Sequence, residues 1–184
     1  VPDTYPLSLN ALAAGCNQKT SRNPVIEATE ADILLALENL KAHGFIDEVS
    51  GGRVVRFAHC FEKTLGVPTQ SSALLTILML RGPQTAGELR LNCERMHKFA
   101  DISSVEAFLE ELASRPQAAL VQELPRLPGA RENRWMHLLG GRPEVAAMPT
   151  TSLSRDDLKD RVARLEQEVA DLRELVNGLL AERQ

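Results

Sequence analysis

The stretch Ser8-Leu9-Asn10-Ala11-Leu12-Ala13-Ala14-Gly15-Cys16-Asn17-Gln18 recurs in outline as Thr85-Ala86-Gly87-Glu88-Leu89-Arg90-Leu91-Asn92-Cys93-Glu94-Arg95. A hydroxyl residue opens each copy, and the Leu12/Cys16 pair returns as Leu89/Cys93 at the same helical spacing. Ser8 and Thr85 each carry an oxygen that can accept from the orphan amides of a first helical turn. Self-similarity of this kind points to two copies of one small structural unit.

Outward from the repeat, Thr29-Glu30-Ala31-Asp32 and Ser103-Ser104-Val105-Glu106 both read as capping-box starts. The helices that follow carry Ile33, Leu37, Leu40 and Val105, Leu109, Leu112, one apolar stripe each. His43-Gly44 supplies a left-handed end to the first, and Pro116 stops the second. Each is then followed by a strand, a Gly-bearing turn and a strand. These are 45–49, Ser50-Gly51-Gly52 and 53–58 in the first copy. In the second they are 119–124, a longer loop through Pro128-Gly129, and 134–138. Helix, helix, β-hairpin is the order of a winged helix. The expected fold is therefore mainly α with small β-hairpins: two tandem winged-helix domains and a C-terminal coiled-coil helix.

The second unit has a first helix, Ser71 to Leu80, ended by Arg81-Gly82-Pro83. It is apolar nearly all round, so burial on several sides, between the two domains, is expected. The first unit has no counterpart, and a segment before Val1 is expected to supply it. The domains are thus 1–60 (first winged helix), 61–70 (linker), 71–140 (second winged helix), 141–153 (linker) and 154–184 (coiled coil).

Composition fits. The chain has 184 residues, 43% hydrophobic and 25% charged, with aromatics at 4%. Ala, Leu and Val in place of aromatics favour helices over an all-β core. A net charge of −4 gives no global attraction to nucleic acid or anionic membrane. Three unclustered cysteines, Cys16, Cys60 and Cys93, argue against a disulfide framework and a zinc site; they are expected as buried fillers in a cytoplasmic protein. The longest apolar run, Ala73 to Leu80, is far short of the about 20 residues that span a bilayer.

The stretches Tyr5 to Leu12, Cys16 to Val25, Arg81 to Leu89, Arg95-Met96 with Phe99, Pro128 to Glu132, and Met136 to Leu138 resemble the signature of the YceH-like family of bacterial proteins. The resemblance covers about residues 4 to 140. It implies a tandem winged-helix fold with a helix upstream of Tyr5, and it implies no established activity. One departure is Asn92, where the family often carries a further Arg; the helix around Leu89 loses charge by it.

In a winged helix that reads DNA, the third helix enters the major groove and the wing touches phosphates. Here the third helices offer Glu30, Asp32, Glu38, Asn39 and Lys41, and Glu106, Glu110 and Glu111. Carboxylates repel phosphates and release no counterions. Basic residues sit elsewhere: Lys19 and Arg22 in the loop after the second helix, Arg53 and Arg56 in the first wing, Arg131 and Arg134 in the second. These six are the candidate nucleic-acid contacts, able to hold backbone phosphates without reading sequence; the competing reading makes them solvated charges and local ion pairs. The polar loop 17–23 reads first as satisfying its own backbone, with phosphate or peptide binding as the alternative. His43, His59, His97 and His137 are scattered, and no phosphate loop, nucleophile elbow or HExxH occurs. No catalysis, cofactor or metal is expected.

In the tail, Leu158, Val162, Leu165, Val169, Leu172, Val176 and Leu179 alternate at spacings of four and three. Val at a and Leu at d favour parallel two-stranded coils. Arg161 would meet Glu166 of a second copy, and Glu168 would meet Arg173, so a parallel homodimer is expected. Two functional classes stay open. Recurrence of arginine in both wings puts a DNA-associated regulator, contacting phosphates through wings and loops, first; the acidic third helices keep a protein-interaction or scaffolding module as the alternative. No membrane partner is expected.

Overall fold

The structure, a computed structural model, describes residues 5–50, 52, 54–126 and 129–140. All of them fall within one compact unit spanning Val1–Gly141. Arg53, the linker 141–153 and the heptad seam from Leu158 to Leu179 lie outside the described residues.

The fold is a mixture of six helices and two small antiparallel sheets among the described residues. Strand β1 (Leu7–Ser8) runs into helix α1 (Leu9–Cys16); α2 (Glu30–Ala42) precedes a hairpin of β2 (Ile46–Val49) and β3 (Arg56–His59). Then come α3 (Phe61–Leu65), α4 (Thr69–Arg81), α5 (Ala86–Asn92), α6 (Ile102–Ala113) and a second hairpin of β4 (Val121–Leu124) and β5 (Arg134–His137).

Capping chemistry sets most boundaries. Ser8 accepts from the Ala11 amide at 3.4 Å. Thr29 with Asp32, and Thr85 with Glu88, form reciprocal boxes that satisfy orphan amides at the starts of α2 and α5. The box expected at Ser103 does not form. α6 starts earlier, on Asp101, whose carboxylate accepts the Ser104 amide at 2.7 Å and its hydroxyl at 2.6 Å. An ionised acceptor in extended backbone outcompetes a serine hydroxyl for the same turn. Gly44 ends α2 at φ 72°, a left-handed position that suits glycine.

One other expectation is corrected, and two short elements come in addition. The first hairpin pairs Ile46 with His59 and Val49 with Arg56, so its loop is longer than the Gly51-Gly52 turn and its second strand starts later. Within residues 61–70, expected as the linker, lies the short helix α3, with Phe61 and Leu65 against the main core. Finally β1, only two residues long, pairs Leu7 with Phe57 and Ser8 with Arg56, giving the sheet order β1-β3-β2. The second half repeats this in miniature, with Gln84 and Trp135 exchanging backbone hydrogen bonds at 3.0 and 2.7 Å.

The halves differ in their cores. α4 buries Leu74, Leu75 and Leu78 completely against α5, α6 and β5. With Leu89, Cys93, Val105, Leu109, Leu112, Val121 and Trp135 they form the main cluster. Each such leucine contributes up to about 2–3 kcal/mol relative to exposure. Among the described residues the first half buries Ile33, Leu37 and Ile46, flanked by half-buried Leu9, Leu12, Cys16 and Phe57. Leu40, expected in the buried stripe of α2, is 42% exposed. α4 therefore belongs to the second core, and at its end Leu80 O accepts the Asn23 amide of the first half at 2.8 Å.

Candidate interaction faces

Burying Val105, Leu109 and Leu112 turns Glu106, Glu110 and Glu111 of α6 outward. No lysine or arginine occurs in the helix. On α2, exposed Glu30, Asp32 and Glu38 share the outer surface with Leu34 and Leu35, the latter 61% exposed. Its single lysine, Lys41, is paired with Glu48 at 2.9 Å. The outward surfaces of both helices are thus acidic, and that of α2 is also apolar. Hydrogen bonds from Thr29 hold the Asp32 carboxyl below its ordinary value, and bonds from Ser104 do the same for Asp101.

The residues expected to meet phosphates are placed differently from one another. Lys19 is exposed in the loop after α1, and Arg131 is exposed in the loop between β4 and β5. Arg22 turns back onto α1, donating to Gly15 O at 3.0 Å and Ser21 O at 3.2 Å. Arg56 donates to Pro6 O at 2.9 Å, tying β3 to the segment before β1. Arg134 stands 3.8 Å from Glu88. A guanidinium bound to a carbonyl or carboxylate offers less to a phosphate than an unengaged one.

Loop 17–28 satisfies itself, as its composition suggested. The Asn17 amide bridges both backbone groups of Ala28 at 2.7 and 2.9 Å, and Gln18 donates to Thr20 O at 2.9 Å. Ser21, at φ 60°, is held by Arg22 on its carbonyl and by Arg81 on its hydroxyl at 3.1 Å. A non-glycine residue there is uncommon and needs such support.

Among the described residues no cluster of three or more His, Cys, Asp or Glu can hold a metal, and no helix is long and apolar enough to cross a membrane. Cys93 is buried, and burial pushes its thiol up to about 12. Cys16 and Cys60 are only half-buried, unlike the fillers expected. The Cys60 thiol donates to Asp47 at 3.1 Å, which raises its pKa. His137 is lowered by burial.

A family model described as a protein of unknown function, DUF480, matches residues 1–130. A UPF0502 protein of Dechloromonas aromatica is 69% identical over 182 residues, covering 96% of this chain and 85% of the relative. One of Burkholderia ambifaria is 56% identical, covering 99% and 81%. Another, of Cupriavidus taiwanensis, is 53% identical, covering 99% and 79%.

Proposed function

The chain belongs to the DUF480 family, the UPF0502 or YceH-like proteins, and from that premise we propose that it is a non-enzymatic tandem winged-helix module that binds another protein through the outer faces of α2 and α6. The winged-helix part is supported by the order β1-β3-β2, with β1 leading directly into α1, and by the matching Gln84–Trp135 bridge just ahead of α5. The binding part is carried by one observation: α6 presents Glu106, Glu110 and Glu111 outward without a single basic residue. In a phosphate groove these would repel; against a basic or amphipathic protein surface they attract and steer. Exposed Leu34 and Leu35 on α2 add apolar area of the kind that interface centres use.

A DNA-associated regulator is the second reading. The exposure of Lys19 and Arg131 in the loops favours it, with Arg22, Arg53, Arg56 and Arg134 as its further contacts. In either case the seam from Leu158 to Leu179 would pair two copies in the cytoplasm.

The deciding experiment is affinity capture from native cells with and without nuclease, using wild type and the triple variant Glu106→Lys, Glu110→Lys, Glu111→Lys. A defined protein partner retained after nuclease and lost from the triple variant supports the proposal. Capture abolished by nuclease in the wild type transfers the function to the DNA reading.

A further inference from the structure

Ser21 lies exposed in the loop between α1 and α2, and its hydroxyl oxygen accepts from Arg81 Nη2 at 3.1 Å. Arg22 donates to the carbonyl of the same serine at 3.2 Å and to Gly15 O at 3.0 Å. Two guanidiniums thus converge on one residue, and neither ion pair found among the described residues involves either of them. The adjoining Thr20 hydroxyl is held differently, accepting from the neutral Gln18 amide at 3.3 Å. Only the serine of this pair carries a full positive charge at hydrogen-bond distance from its hydroxyl oxygen.

The surrounding charge has one dominant sign. α1, the loop 17–28 and α4 together contain Lys19, Arg22 and Arg81 against the carboxylate of Glu27 alone, in a chain whose net charge is −4. The C-terminal ends of α1 and α4 are the features that oppose an anion here. Each helix end amounts to roughly half an elementary charge, against a full one on each arginine. The carbonyls of those ends are also committed: Gly15 O to Arg22, Ala13 O to the Asn17 amide, Leu78 O to the Gly82 amide and Leu80 O to the Asn23 amide. The guanidinium fork matches the oxygens of a phosphate and has donors left over beyond those already used.

We propose that Ser21 is a phosphorylation site and that Arg81 and Arg22 hold the phosphoryl group. The donor is a nucleoside triphosphate presented by a separate protein kinase. A bond forms between Ser21 Oγ and the γ-phosphorus as the latter parts from its bridging oxygen. The hydroxyl proton passes to a base of the kinase, and a nucleoside diphosphate leaves. The added charge turns a neutral acceptor into one with charge-assisted bonds. It thereby tightens the link between this loop and the end of α4, where the Asn23 amide already meets Leu80 O at 2.8 Å. Thr20, facing an amide and no cation, gains no such partner. The site makes no use of the outer faces of α2 and α6, so it stands or falls independently of the partner proposed above.

Two measurements test it. Peptide mass spectrometry of the full chain isolated from its native cells, in growth and in starvation, should find phosphate on Ser21 and not on Thr20. For the second, the full chain is made with Ser21 already phosphorylated, and its phosphorus chemical shift is followed against pH. The second ionisation of a phosphoserine lies at about 6. In the folded chain it should fall by at least about half a unit, because opposite charge favours the dianion. That shift should vanish in urea, shrink in Arg81→Gln and Arg22→Gln, and largely persist in Arg81→Lys, which keeps the charge. Absence of the phosphorylated Ser21 peptide under every growth condition overturns the proposal. So does an ordinary titration in the folded chain, or a shift unchanged in both glutamine variants.

Discussion

The guanidinium of Arg134 on β5 stands 3.8 Å from Glu88 Oε2, the same oxygen that accepts the Thr85 amide at 2.8 Å. One carboxylate thus closes the capping box of α5 and faces β5 of the second hairpin. The two roles are unequal in energy. The pair is substantially exposed, 36% and 50%, and exposed pairs contribute about 0–1 kcal/mol. Loss of the capping interaction costs about 0.5–1 kcal/mol. Glu88→Ala should therefore destabilise more than Arg134→Ala in urea melts. The coupling energy of the double mutant should stay below about 0.5 kcal/mol. Equal losses from both single variants would show that the pair, and not the cap, carries the stability.

The same contrast shows how much was legible in the sequence. The capping box at Thr29 is a local pattern, complete within four residues, and it formed where the sequence placed it; at Thr85 the sequence marked only the N-cap, and Glu88 closes a box there as well. At α6 two acceptors competed, and Asp101 won by charge. β1 is two residues long and α3 five, too short for any periodicity to register. Both exist because of distant partners, Phe57 for Leu7 and the main core for Phe61. Among the candidate contacts, the arginines could be found by residue type, but their commitments could not. Arg56 meets Pro6 fifty residues away in sequence, and Arg22 reaches back to Gly15.

Unequal cores predict unequal opening. The second half buries Leu74, Leu75, Leu78, Leu89 and Leu109 completely, whereas among the described residues of the first half the apolar core is Ile33, Leu37 and Ile46, none of them completely buried. Amides of α1 and α2 should exchange with solvent well before those of α4 and α6, because local opening there exposes less apolar surface. Leu109→Ala should cost about 3–5 kcal/mol and Leu37→Ala less, about 2. Uniform protection across both halves in hydrogen exchange would contradict this.

Thiol reactivity follows burial. Cys93 is pushed up to about 12, so it should resist a disulfide reagent at neutral pH until the chain unfolds. Cys16, half-buried, should react first, and Cys60 more slowly because Asp47 opposes its thiolate. Labelling followed by peptide mapping checks the order; early modification of Cys93 in native buffer would contradict the placement.

Acid sensitivity should come in two windows. Burial lowers the His137 imidazole from its usual 6.5. The folded state therefore holds it neutral, and the unfolded chain takes up the proton first. Its contribution is complete above 6.5 and is lost as pH falls below that value. Asp32 and Asp101 lie below their usual 3.8 because of the hydrogen bonds from Thr29 and Ser104. Their contribution is complete above 3.8 and lost as pH falls through their folded values. His137→Leu should flatten the upper window and Asp101→Ala the lower one. Stability measured by urea melts across acid pH reads both, and a wild-type profile flat below 6.5 would count against the His137 assignment.

The last prediction separates the two functional readings by charge. If duplex DNA is bound, Lys19 and Arg131, exposed in the loops, should carry the phosphate contacts, each adding a slope of about −0.9 in log K against log salt. Lys19→Glu with Arg131→Glu should then weaken binding equally across sequences. Glu110→Lys should tighten it, because it removes a carboxylate from a face with no compensating base. A protein partner held by the α6 carboxylates behaves in the opposite way. Glu110→Lys should slow its association and flatten its salt dependence, while the two loop reversals leave it unchanged. Arg134→Glu is a poor probe of either, since it also disturbs Glu88 and the α5 cap. The measurement is one titration series with labelled duplex and one with the captured partner, each at two salt concentrations. The sign of the Glu110→Lys effect decides between them, because one substitution at one exposed position moves the two affinities in opposite directions.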